Sequence, residues 1–473
     1  MESPDPRDAR IAELEALVTA QAAKIAELEE IIRQLTARLG LNSLNSSMPP
    51  SRDNAQAREA RPRQSKSRRR RGGQKGHKQA KRALLPADQV DAVEEHKPSH
   101  CGVCDRPLRG TDPEPRRRQI IELPPIKAKV TEHRFHSLPC ACGAVTCAAT
   151  PPELQHGDVG PRLSAFVATL SGQFRMSKRN VQSLVTDVLG ITISLGLVPK
   201  IEARVSEAIA PLYDQVQQRV RSSVFVNMDE TPWVEGRESA WLWVATTHEA
   251  ALYRIAPTRS AEIVQQILGE DFTGIVGSDR AKAYLVIDPT RRQICWFHLG
   301  RNFQSKIELG GEEAVFGRQM RAFEGRLWRA QHLFEAGSID RASYDRRMKM
   351  LRGEMQGALE SWAAAAPNPA VGIGAMCNNL VKLGPAMWNF VDTPGVAPTN
   401  NRAERDIRHP VVWRRSSFGT DSHRGSRFVE RILTVVATCR KQGRSAFRFL
   451  ADFLCSVWTA RPHLAPRLLP DSS

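Results

Sequence analysis

Residues 58–82 hold twelve lysines and arginines against a single acid, Glu59. A stretch of that charge density, with no apolar periodicity, cannot bury itself in a core. It therefore divides the chain into parts that must fold on either side of it. It also carries most of the net charge of +17. Charge concentrated in this way favours a polyanion, and nucleic acid is the usual one. Arg68, Arg69, Arg70, Arg71, Lys75 and Lys78 are the candidate contacts. We read 45–85 as a basic linker that orders only on DNA, entered through the loop-like Asn42–Ser47 and Pro49-Pro50.

Around that divide, 473 residues are enough for about three folding units. The 41 % apolar and 25 % charged content is that of an ordinary globular protein and excludes global disorder. No apolar run approaches the roughly 18–20 residues of a membrane span. The N-terminal residues have mixed charge and no apolar centre, unlike a secretory signal. These features lead us to expect a soluble, cytoplasmic protein with no membrane partner. Before the basic run, residues 10–39 carry a heptad: Ile11, Val18, Ile25, Ile32 and Leu39 at a, and Leu14, Gln21, Leu28 and Leu35 at d. Branched residues at a with Leu at d favour a parallel two-stranded coiled coil, so 1–44 predicts self-association.

Nine cysteines in a chain with no leader argue against a disulfide framework. Five lie within 101–147. Cys101 and Cys104 form one close pair and Cys140 and Cys142 another, 35 residues apart. Two pairs on tight turns can supply four thiolates to a structural Zn ion. Cys147, His100 and His136 stand as alternative ligands, because the second pair is Cys-x-Cys. Ile120, Ile121, Val130 and Phe135 between the pairs alternate as strands do. We expect 86–150 to be a small zinc-binding domain whose folding depends on the metal.

Residues 151–220 read as helical. Ser177 should cap a helix that stops at Gly190, and a third helix should run from about Pro199 to Val216. Three short helices with Arg175, Lys178 and Arg179 near a cap fit a helix-turn-helix DNA-binding module, and they fit a plain helical connector equally well. From 221 the pattern becomes mixed: three strands beginning at Val224, Trp241 and Ala251, a helix over 259–268, then strands at Gly274–Gly277 and Gln293–Phe297. That order predicts a mixed α/β sheet. Helices over 300–395 interrupt this domain, which runs to 430, and a C-terminal helical segment covers 431–473.

Asp229 follows the first of these strands and Asp279 the fourth. Neighbouring strands would bring both carboxylates to one edge of the sheet, and Glu404 on a packed helix would complete an all-oxygen set. Such a set suits Mg ions, and two ions about 4 Å apart serve phosphodiester chemistry. Asp271, Asp288, Asp406 and Glu230 are bystander acids. His298 and Arg301 would face either a phosphate or a carboxylate. Asn400 and Asn401 would cap the Glu404 helix, and Arg405 and Arg408, with Arg414, Arg415 and Arg424, would hold DNA backbone. Trp233, Trp241 and Trp243 read as core, and Cys295, Cys377, Cys439 and Cys455 as buried thiols.

Several short motifs, in order, resemble the transposases of the insertion sequence 66 family almost end to end. They are Leu41-Asn-Ser-Leu-Asn-Ser-Ser-Met-Pro-Pro50, Gly72-Gly-Gln-Lys-Gly-His77, the Cys pairs, Met228-Asp-Glu-Thr231, Ser278-Asp279 with Tyr284, Cys295-Trp-Phe-His-Leu-Gly-Arg301, and Asn400-Asn-Arg-Ala-Glu404 with Arg408. The resemblance implies a ribonuclease-H-like catalytic domain with Asp229, Asp279 and Glu404 as metal ligands, and the helical insertion accounts for the separation of 125 positions from Asp279 to Glu404. It also implies cleavage at transposon ends, strand transfer to target DNA by a 3′-hydroxyl, a nucleoid location and helper proteins of the same element. The sequence departs from the family in its short Cys-x-Cys pair and in Arg175-Met-Ser-Lys-Arg-Asn180. Two rival readings are a catalytically silent DNA-binding regulator and a nuclease acting on RNA–DNA hybrids.

Overall fold

The computed structural model describes residues 83–459 and 461–470, with Gln21 and Lys24. The expected coiled coil, apart from those two residues, lies outside the described residues, as do Arg68, Arg69, Arg70, Arg71, Lys75 and Lys78. The chain divides into two compact units between Lys129 and Val130, inside the segment 86–150 that the cysteine spacing presents as one domain.

In the first unit, residues 99–108 close a tight turn. The Cys101 and Asp105 amides donate to Arg106 O and Cys101 O, and Leu108 N donates to Ser99 O. Asp105 takes a left-handed φ of 54° to do so. In the second unit, β1 (Ser137–Pro139) and β2 (Val145–Cys147) form a short hairpin, with Cys140 and Cys142 in its connecting turn. The stretch expected as strands makes none. Ile120 is 80 % exposed and Val130 88 %, because neither has a partner strand or a core to pack against.

Four helices follow: α1 (Pro161–Gly172), α2 (Lys178–Leu189), α3 (Leu197–Ala208) and α4 (Ala210–Arg221). The Ser177 side chain accepts the Asn180 amide and Gly190 ends α2 with a φ of +64°, as its sequence predicts. The single third helix expected over 199–216 is instead two. Pro211, in the first turn of α4, has no amide to continue α3, so the chain restarts there.

The sheet has the order β5-β4-β3-β6-β7. Its strands are β3 (Phe225–Glu235), β4 (Glu238–Thr246), β5 (Ala251–Ala256), β6 (Ile275–Ser278) and β7 (Arg292–Ile294), with α5 (Ala261–Leu268) between β5 and β6. The strand-strand-strand-helix-strand-strand order matches the sequence reading. β3, β4 and β5 are antiparallel neighbours, while β6 and β7 run parallel to β3. Five helices then intervene: α6 (Trp296–Leu309), α7 (Gly311–Glu335), α8 (Arg341–Ala365), α9 (Gly372–Lys382) and α10 (Gly384–Asp392). The chain returns through α11 (Asn401–Ser417), α12 (His423–Lys441) and α13 (Ala446–Trp458). No helix among the described residues is long and apolar enough to cross a membrane.

Two apolar cores result. One gathers α1 to α5 and α11 to α13 with the β3–β5 side of the sheet, so the helices of 151–220 and 431–473 share the sheet's core. The other packs α6 to α10 beneath Phe225, Ile275 and Ile294. α12 is buried from Phe428 to Cys439 except for Arg431, and it covers the sheet's open edge. Glu430 Oε1, Thr434 Oγ1 and Thr438 Oγ1, one helical turn apart, accept the free amides of Ile255, Tyr253 and Ala251 on β5. An edge that would otherwise expose or orphan its donors is thereby satisfied.

Candidate functional site

β3 continues through Asp229 rather than ending before it. Asp229 pairs with Val244 in the ladder to β4, and the strand runs on to Glu235. On its other side, the last pair with β6 is Asn227 with Gly277. Asp229 and Asp279 each lie two residues beyond that pair, so parallel pairing sets them at one level. The Asp279 backbone is held from behind by Arg292, wholly buried on β7, whose guanidinium donates to Asp279 O at 2.7 Å, to Ser278 Oγ and to Tyr284 O.

Glu404 occupies the first turn of α11, where the helix dipole favours a carboxylate. What fixes this turn is Asn400, though not as a cap: its side chain makes no capping bond. Its amide nitrogen donates to Met228 O at 2.7 Å, its Oδ1 accepts from Asn227 Nδ2 at 2.9 Å, and its backbone amide donates to Cys295 Sγ at 3.2 Å. One buried asparagine thus ties the start of the Glu404 helix to the residue preceding Asp229. Arg414 adds a tie lower down, donating to Thr231 Oγ1 at 3.0 Å.

Cys295 and the residues after it do not extend β7. The strand stops at Ile294, Cys295 is the N-cap of α6, and His298 and Arg301 project from the first turns of that helix. The apolar run Ile294–Phe297 suits a strand and a buried helix start equally, and the Trp296 amide bonds to Pro398 O rather than to a strand. His298 Nδ1 lies 3.6 Å from Glu404 Oε1, and Arg301 Nη2 lies 3.9 Å from the same oxygen. Burial and the adjacent Arg301 push the His298 pKa below its ordinary value.

The electrostatics are those of crowded acids. Burial, then Glu230, Asp279 and Glu404, drive the Asp229 pKa well above the usual carboxylate range. Asp279 Oδ1 accepts the Ala281 amide at 2.8 Å, and its Oδ2 is 3.8 Å from Arg259. Glu230 is turned into a separate buried cluster. It accepts from Tyr284 and from Arg259, which also stacks over Trp241. Arg259 and Arg292 escaped the sequence reading: a lone arginine in a loop carries no signal, and Arg292, beside Gln293 in a three-residue strand, reads as a turn or an exposed edge.

The bystander acids sort themselves out. Asp406, on α11 but away from Glu404, accepts from Thr246 Oγ1 and pairs with Lys441 at 2.8 Å. Asp288 caps the turn at Pro289, and Asp271 is exposed. Arg405 and Arg408 are exposed on α11 and make no hydrogen bond or ion pair among the described residues. By contrast Arg175 bonds His409 and Lys178 pairs with Glu202. Trp233 and Trp243 are core, Trp241 is partly buried against it, and Cys455 is only half-buried.

The two cysteine pairs share one local chemistry. Backbone amides within each turn, chiefly those of Cys104 and Cys142, bond to the Cys101 and Cys140 sulfurs and lower their pKa values. Amides aimed at a thiolate are what a metal knuckle presents. Cys147 Sγ accepts from Ser137 Oγ at 3.1 Å, and His100 Nδ1 is bonded to Ser99 Oγ.

Residues 156–427 match the family described as Transposase IS66 family. Residues 1–83 match a family of unknown function, DUF6444. Two curated proteins of Sinorhizobium fredii (strain NBRC 101917 / NGR234) are similar to the chain. Uncharacterized protein y4qI is 22 % identical over 397 residues, which cover 78 % of this chain and 72 % of that protein. Uncharacterized protein y4hP is 25 % identical over 377 residues, 72 % of this chain and 67 % of that one. The stretch matched by the first family contains Asp229, Asp279 and Glu404, with His298, Arg405 and Arg408.

Proposed function

The chain belongs to the transposase IS66 family, and from that premise we propose that it binds the terminal inverted repeats of its insertion sequence and catalyses metal-dependent cleavage and transfer of DNA strands. The observation that carries this reading is the anchoring of three carboxylates from distant parts of the chain. Asp229 on β3 and Asp279, just past the end of the parallel β6, stand level, and Asn400 ties the Glu404 helix to Met228. A ribonuclease-H-like catalytic domain, interrupted by α6 to α10, is the architecture this implies.

The donor set fits Mg ions. It is made of oxygens, Asp229 is raised by burial and then by the neighbouring negative charges, and Glu404 Oε1 is buried without a hydrogen-bond partner. Ions held by Asp229, Asp279 and Glu404 would supply Lewis-acid stabilisation of the charge that develops at phosphorus. The protein's own part is positional. Arg292 holds the Asp279 backbone, Asn400 sets the height of Glu404, and Glu230 is kept apart by Tyr284 and Arg259. Arg405, next to Glu404, and Arg408, one turn further on, are unengaged and would grip the DNA backbone beside the scissile phosphate.

The remaining parts support assembly and recognition. Cys101, Cys104, Cys140 and Cys142 would hold a structural Zn ion. The 1–44 heptad would pair two copies, and the six basic residues of 68–78 would bind duplex DNA at the transposon ends. Helper proteins of the same element and a cytoplasmic, nucleoid-associated location complete the reading.

The test uses labelled duplex DNA carrying the inverted repeats that flank the gene, incubated with Mg and either wild type or Asp279→Ala. Nicked and joined products from wild type only are expected. Tight binding without cleavage by either protein would favour the silent regulator or a missing helper protein. Cleavage of an RNA–DNA hybrid in preference to the duplex would favour the nuclease.

A further inference from the structure

Three side chains of different chemistry converge where α6 begins against α11. Cys295 Sγ, a nitrogen of His298 and a carboxylate oxygen of Glu404 all lie within 4.8 Å of one another, the one such group of three among the described residues. Cys295 is 1 % exposed. His298 Nδ1 and Glu404 Oε1, 3.6 Å apart, are both buried and without a hydrogen-bond partner. Two polar atoms facing each other without a hydrogen bond, with Arg301 Nη2 still 3.9 Å from the same oxygen, leave a need that an ion would meet. Their separation is close to the roughly 3.4 Å edge of a tetrahedral zinc site with bonds near 2.1 Å.

We propose that Cys295, His298 and Glu404 form a second metal site, for a borderline-soft divalent ion of the zinc class, which sequesters Glu404. A thiolate, an imidazole and a carboxylate are zinc ligands, whereas Mg prefers oxygens alone. Thiolate and carboxylate together balance the ion's charge, and three protein ligands leave a fourth position for water. Asn400 N–H, already bonded to Cys295 Sγ, supports the sulfur as a ligand. An ion held here engages the carboxylate that the all-oxygen set also needs. Zinc-class ions therefore oppose Mg-dependent cleavage, a consequence that rests on the function proposed above; the binding site itself does not.

The experiment titrates Co2+, a coloured stand-in for zinc, into the full chain as wild type, Cys295→Ser, His298→Ala, Glu404→Gln, Cys101→Ser and Asp279→Asn. Wild type should show a thiolate-to-cobalt absorption of which one equivalent disappears in Cys295→Ser and persists in Cys101→Ser and Asp279→Asn. His298→Ala and Glu404→Gln should weaken that equivalent by more than the roughly 10–100-fold that loss of an outer-shell partner costs. Circular dichroism checks each fold, and Glu404→Gln, at a half-exposed position, serves if Cys295→Ser does not fold. Wild-type stoichiometry and affinity in either of these two variants would overturn the site. A chain that binds cobalt as described but never cleaves DNA would overturn the inhibitory role and the transposase reading while leaving the site standing. In a cleaving chain, the zinc concentration that halves nicking should rise at least tenfold in Cys295→Ser, roughly in line with the lost affinity. An unchanged value would sink the inhibition.

Discussion

Residues 161–458 and residues 83–150 meet the cost of ordering a chain in opposite ways. The first stretch buries two apolar cores and satisfies even its edge strand from inside, with Glu430, Thr434 and Thr438 serving β5. The second has scarcely a buried side chain: Val103 is 97 % exposed, Val130 88 % and Ile120 80 %. Its turns at 99–108 and 137–147 are held by a few backbone hydrogen bonds and present their cysteines outward. Apolar burial is the main favourable contribution to folding, so a segment without it needs another source of stability. On the function proposed above, a metal held by the cysteines of 101–142 would be that source. The acids of the site, by contrast, sit on a scaffold that would stand without any ion.

Removing metal should break the comparison most visibly. A structural zinc site contributes on the order of 10 kcal/mol to a segment of this kind. A strong chelator, or Cys101→Ser, should abolish hydrogen-exchange protection of the amides at 101, 105 and 108 while those of α12 remain protected. Equal protection in the 99–108 turn with and without chelator would mean that no ion supports it.

The core's own sensitivity should instead be to pH. Burial raises the Glu430 carboxyl from 4.5 to about 7, against the opposing pull of Arg427. Because the folded value is the higher, the stability involved is present below the ordinary carboxylate pKa and lost as pH rises through about 7. Over that window the loss is about 3 kcal/mol. Asp229 is raised too and adds to the same slope, and its share should vanish when Mg is present. Thermal melts from pH 4.5 to 8 should flatten in Glu430→Gln, whose amide oxygen still accepts the Ile255 amide. A slope unchanged by that substitution would remove Glu430 from the explanation.

Packing supplies the smallest effect. A Cβ on Gly172 would stand 2.3 Å from Ile432 Cγ1, where α1 meets α12. Gly172→Ala should destabilise the chain by about 1–3 kcal/mol through overpacking, measured by urea unfolding. Gly102, with open space around it, should tolerate the same change with no measurable loss.

Much of the sheet was legible in the sequence because apolar runs, turn residues and helix caps agree there. Ser177 and Gly190 bracket α2 as written, and the order of five strands and one helix follows from the pattern alone. The extent of β3 was not legible. Asn227-Met-Asp-Glu-Thr-Pro232 has the composition of a turn, and only pairing with β4, which seats Trp233 opposite Ala240, keeps it extended. Tertiary context likewise decided Asn400. Placed just before a helix, it has a capping residue's signature, yet its side chain is taken by Asn227 and Met228. The alternation over 120–135 misled in the other direction, since a strand needs a partner as well as a pattern. Of the candidate site, the level placement of Asp229 and Asp279 was legible from the order of the strands. The buried Arg292 and Asn400 that position them emerge only once strands and helices are neighbours.

The most direct measurement compares Mg-dependent cleavage of the terminal-repeat duplex by Asp229→Asn, Asp279→Asn and Glu404→Gln with that by Asp271→Asn and Asp288→Asn. The first three should each lose about 10³-fold or more in rate, with melting temperatures equal to wild type or higher because crowding is relieved. The other two should cleave as wild type does. Wild-type cleavage by Asp279→Asn, or an equal loss in Asp271→Asn, would contradict the account and move the catalytic site elsewhere on the fold.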